Sequence, residues 1–91
     1  MARPDLHPDS ALIGASALLE QSRARDAATL IEACLSARPV WPEAKLLLGN
    51  AHFALGKIPQ AIAAFESALA DRPGWDQAQA ALQRARAAVA R

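Results

Sequence analysis

Apolar residues recur along this chain at helical spacing, and the stripes they form return after 34 residues. Between residues 42 and 55, Leu47, Leu48, Ala51 and Leu55 fall on one side of a 3.6-residue helix. Pro42 suits the first helical turn, where its missing N–H has no intrahelical partner, and Glu43 suits the positive end of the helix dipole. Gly49 interrupts that helix at a cost of about 1 kcal/mol against alanine, so its expected use is the close approach of a second helix. Gly56 is the expected stop or tight turn. A second stripe, Ala61, Phe65, Ala68 and Leu69, predicts a helix over 59–70, with one large aromatic between small residues, as a knob entering a shallow groove requires. Pro73 ends the unit.

Moved forward by 34 positions, Ala44, Leu48 and Ala51 fall on Ala78, Leu82 and Ala85, and Pro39-Val40-Trp41 falls on Pro73-Gly74-Trp75. Moved backward, Ala61, Glu66 and Leu69 fall on Ala27, Glu32 and Leu35, and Arg72-Pro73 falls on Arg38-Pro39. A fixed period of this length marks stacked supersecondary units, each unable to bury its apolar faces alone. The pattern extends to a helix over 24–37 with Ala27, Leu30, Ile31, Cys34 and Leu35 inward. It also predicts a polar-faced last helix over 76–90, with Ala78, Leu82, Ala85 and Val89 inward and Gln79, Gln83 and Arg86 outward. A first helix, capped by Asp9 or Ser10 and reaching about residue 22, carries Leu12, Ile13, Leu18 and Leu19, more than one face can bury. With no preceding unit to cover the excess, either the N-terminal residues fold over it through Leu6 or another chain does. Five helices are expected.

Leu48-Gly49, Gly56, Ala61, Phe65, Ala68 and Pro73 stand at the spacings of the tetratricopeptide repeat, and the chain resembles that family over roughly residues 8–91. Lys45 and His52 occupy the pattern's usual Trp and Tyr slots, and in the preceding unit Gly14-Ala15 replaces Leu-Gly. The resemblance implies an all-α fold, a right-handed stack of antiparallel helix hairpins with about two and a half repeats. Residues 1–8, with two prolines and no helical stripe, are expected as a mobile arm or a short extended lead-in, and 9–91 as the repeat domain, divided into 9–41, 42–75 and a capping helix at 76–91. It also implies a concave wall built by the first helix of each repeat, where such proteins bind peptides or helices. On that pattern the groove takes Leu12, Ser16 and Leu19 from the first repeat, Leu46, Asn50 and Phe53 from the second, and Gln77, Ala80 and Arg84 from the last helix. Leu46 and Phe53 are surplus to the packing stripe of their own helix, and Asn50 offers a donor and an acceptor between them. One subtype clamps a C-terminal carboxylate through a Lys and Asn pair and further basic residues. Leu46 and Gln77 stand where lysines would be, so that clamp is not expected.

Composition narrows the function further. Only 4% of the 91 residues are aromatic while 53% are hydrophobic, which suits close-packed short hairpins rather than a large pocketed core. A chain of this size buries on the order of 60–65% of its unfolded surface. A net charge of +1 argues against a nucleic-acid surface. The lone Cys34 excludes an intramolecular disulfide and is expected as a small buried hydrophobe. No apolar run approaches membrane-spanning length and no cleavable signal is evident, so a cytoplasmic protein is expected. His7 and His52 are far apart, one Cys and two His cannot fill a metal site, and glycines occur singly. No catalytic residue, metal or cofactor is therefore expected. Trp41 and Trp75 each precede a helix and are expected to pack over an inter-repeat corner, ligand stacking being the lesser role. The expected function is a protein–protein interaction module, an adaptor or small chaperone, taking an apolar or amphipathic segment by the helix-in-groove mode. The alternative is a structural protein that self-associates, as a homodimer or larger homo-oligomer, through its apolar first helix.

Overall fold

A computed structural model of the chain describes the backbone of residues 8–89 and the side chains of residues 12–89. Its elements are α1 (Pro8–Glu20), α2 (Ala24–Ala37), α3 (Pro42–Ala54), α4 (Ile58–Asp71) and α5 (Asp76–Val89), and no strand occurs among the described residues. Every expected helix is present. α1 begins at Pro8, ahead of both expected caps, since proline fits a first turn. The arm expected before it, with Leu6 and His7, lies outside the described residues.

Consecutive helices pack as antiparallel neighbours. The odd-numbered helices also touch one another, α1 with α3 and α3 with α5, whereas α2 and α4 do not meet. The odd helices thus form a continuous inner layer, and the even ones splay apart behind it. α3 contacts every other helix and is the centre of the stack.

The two hairpin turns use the same device. Lys57 N–H donates to His52 O at 2.9 Å and Gly56 N–H to Phe53 O at 3.0 Å, a pair of bonds that satisfies the last carbonyls of α3. One period earlier, Arg23 N–H donates to Leu18 O at 2.8 Å and Ser22 N–H to Leu19 O at 3.0 Å. The pivot residue is left-handed in both turns, Gly56 at φ 78° and Ser22 at φ 62°. Glycine adopts that conformation freely, and serine does so against Cβ strain.

The largest fully buried side chains, Phe65 and Ile31, hold the same slot in successive repeats. A Cβ built on Gly49 would fall inside van der Waals contact with Cδ1, Cε1 and Cζ of Phe65, so α3 and α4 approach as closely as a bare glycine allows. In the first repeat the glycine slot holds Ala15, fully buried, and it packs in one cluster with the smaller Ile31. A larger residue on one helix is thus matched by a smaller one on its neighbour. Burying Phe65 contributes roughly 1.5–3 kcal/mol. It sits with Leu46, Ala61, Ala68, Ala78, Ala81, Leu82 and Ala85, so α5 closes the core that α3 and α4 begin.

Charged groups lock the outer end of the α3–α4 hairpin. Lys45 Nζ lies 2.6 Å from Asp71 Oδ2, with only 15% and 13% of the two side chains exposed. The contact is one of charge rather than hydrogen-bond geometry, since Oδ2 has no hydrogen-bond partner among the described residues. Lys45 holds the slot where the repeat pattern has tryptophan, and the ion pair takes that ring's place.

Candidate functional site

The inner layer carries a groove of about 470 Å³. α1 contributes Leu12, Ile13, Ser16, Ala17 and Glu20; α3 contributes Glu43, Leu46 and Leu47; Trp75 and Gln77 close it at the start of α5. Most of this lining is apolar, because the stripe of α1 is wider than α2 can cover. Ile13 remains 69% exposed, while Leu12 is half-buried against the cluster of Ala15, Ile31, Trp41 and Ala44. Leu47 packs against that same cluster.

The two tryptophans are held alike and used differently. The Arg38 guanidinium lies 4.9 Å from the Trp41 ring centroid, and that of Arg72 lies 4.8 Å from the Trp75 centroid. Trp41 is buried in the corner between the first and second repeats. Trp75 packs against the second cluster but stays half-buried and reaches the groove. Arg72 Nη1 also lies 3.2 Å from Glu43 Oε2, so one guanidinium orders both an acid and a ring of the lining.

Of the residues expected on the concave wall, Leu12, Ser16, Leu46 and Gln77 meet in this groove. Leu19 instead packs with Leu18 and Leu48 against Ala24, Ala27, Ala28 and Ala51. Asn50 is half-buried, and Phe53, Ala80 and Arg84 are exposed, all outside the groove's lining. Leu46 is not surplus to packing. It is 8% exposed and belongs to the Phe65 cluster, because α5 covers a face of α3 that the α3–α4 hairpin alone would leave bare. Ile13, Ala17, Glu20, Glu43 and Leu47 were not among the residues expected on the concave wall, and Trp75, expected chiefly to pack over a corner, also lines the groove. The excess of apolar residues on α1 was the available signal for Ile13.

Cys34 is a free, half-buried thiol packed against the first-repeat cluster. His52 is half-buried, and its Nδ1 is buried without a hydrogen-bond partner among the described residues. No group of three His, Cys, Asp or Glu side chains is placed to hold a metal ion among the described residues. No described helix is long and apolar enough to cross a membrane.

Hairpins of one length, stacked on a shared period and presenting a groove on the inner layer, define a helical-repeat protein. A tetratricopeptide-repeat family model matches residues 14–74, well over half of the chain. The chain belongs to the tetratricopeptide-repeat family. Such repeats are characteristically non-catalytic modules for protein–protein interaction. Comparison with curated proteins and with solved structures gave no match.

Proposed function

We propose that this chain is a non-enzymatic adaptor or small chaperone of the cytoplasm whose groove between α1, α3 and the start of α5 takes an apolar or amphipathic segment of another protein. The carrying observation is Ile13, a large apolar side chain 69% exposed on the wall of a groove whose remaining lining is mostly apolar. Its burial by a partner yields on the order of 1.5–3 kcal/mol, and the fold itself makes little use of it. A net charge of +1 supports a protein rather than a nucleic-acid partner.

Ile13 equally favours a second reading, a homodimer that covers α1. Sedimentation equilibrium and partner capture on Ile13→Asp separate the two. For the adaptor, the wild type is a concentration-independent monomer, and Ile13→Asp loses its partner while its melting temperature holds. A wild-type dimer that the substitution dissociates supports self-association instead. Undiminished capture by a folded Ile13→Asp overturns the groove assignment.

A further inference from the structure

The charged residues of the groove's lining, Glu20 and Glu43, are both acidic, while Arg72 stands at its rim over Trp75. Its polar lining is Ser16, Glu20, Glu43 and Gln77, and neither Lys nor Arg takes part. This acidity is local, since the chain as a whole carries +1. Glu43 is answered by Arg72 at 3.2 Å, whereas the ion pairs among the described residues leave Glu20 out. Glu20 is also ill placed for its own helix. It is the last residue of α1, whose last turn holds no basic residue, so its carboxylate adds to the negative end of the helix dipole. A local rule broken without compensation among the described residues points to a contact beyond them.

Building on the groove reading above, we propose that the occupant is a cationic amphipathic helix. Its apolar face lies over Leu12, Ile13, Leu47 and Trp75, and a Lys or Arg at its flank meets Glu20. Recognition is thus by an acid beside an apolar trough, with charge opposite to that of a site built for a carboxylate.

Two synthetic helical peptides test this, sharing one leucine face and carrying either Lys or Glu on the polar flank. Their affinities for the full chain are read by fluorescence anisotropy. The Lys peptide should bind the wild type several-fold more tightly, with the difference collapsing as salt shortens the screening length. Glu20→Gln should weaken the Lys peptide about two- to fivefold, the range of a solvent-accessible ion pair. Glu20→Lys should reverse the preference. Neither substitution should lower the melting temperature, because each removes a charge opposed to the helix dipole. Equal affinities of the two peptides, or indifference to both Glu20 variants, overturns the cationic partner while leaving the groove reading intact. If neither peptide binds and the wild type sediments as a dimer that Ile13→Asp dissociates, both readings fall.

Discussion

Gly49→Ala offers a sharp test of how the hairpins pack, because two effects on the same residue have opposite signs. Alanine in place of glycine inside an exposed helix should stabilise by about 1 kcal/mol. Here the new methyl enters the Phe65 ring, whose side chain is 1% exposed and hemmed by Leu46, Ala61, Ala68 and Leu82. Overpacking of this kind costs typically 1–3 kcal/mol, so the net expectation is a loss of up to about 2 kcal/mol where propensity alone forecasts a gain. The first repeat shows the remedy, since Ala15 there is paired with Ile31. Phe65→Ile alone should also destabilise, by roughly 1–2 kcal/mol as the ring's volume is partly vacated. The double substitution copies the first repeat's combination and should be more stable than the two single losses predict, by about 1 kcal/mol or more. Urea unfolding of the four proteins measures the cycle. Additivity within about 0.3 kcal/mol, or a more stable Gly49→Ala protein, refutes the matching of residue sizes across the hairpin.

Ser22→Gly should stabilise by about 1 kcal/mol or less, since it relieves a left-handed serine but adds freedom to the unfolded chain; an unchanged or lowered urea midpoint counts against strain at that turn. Lys45→Ala should lose about 1–3 kcal/mol by stranding Asp71 in a site where its side chain is 13% exposed, and thermal melting with no measurable shift would show that the ion pair contributes nothing.

The helices were legible because a period repeated along the chain averages out local ambiguity. The end of α2, both ends of α3 and both ends of α4 fall within two residues of Pro39, Pro42, Gly56, Pro59 and Pro73. The left-handed pivot at Ser22 was legible in principle, being one period from Gly56, but serine carries no glycine signature. The groove was less accessible. Spacing along one helix tells which residues share its face, yet not how far α1 slides along α3, and that offset brings Glu20, Glu43 and Trp75 to one lining. Leu46 misled for a related reason: counting the stripe of α3 against α4 alone ignored α5, which supplies the rest of its neighbours.

α1 and α5 both line the groove, yet their backbones make no mutual contact, and within the described chain they communicate through α3 alone. A bound segment would therefore act as a strut between the two ends of an arch. Its occupancy would oppose fraying of α1 and α5 together, by the mass-action gain of any ligand that favours the folded form. Each end of the arch would then hold the other in place only while the strut is in.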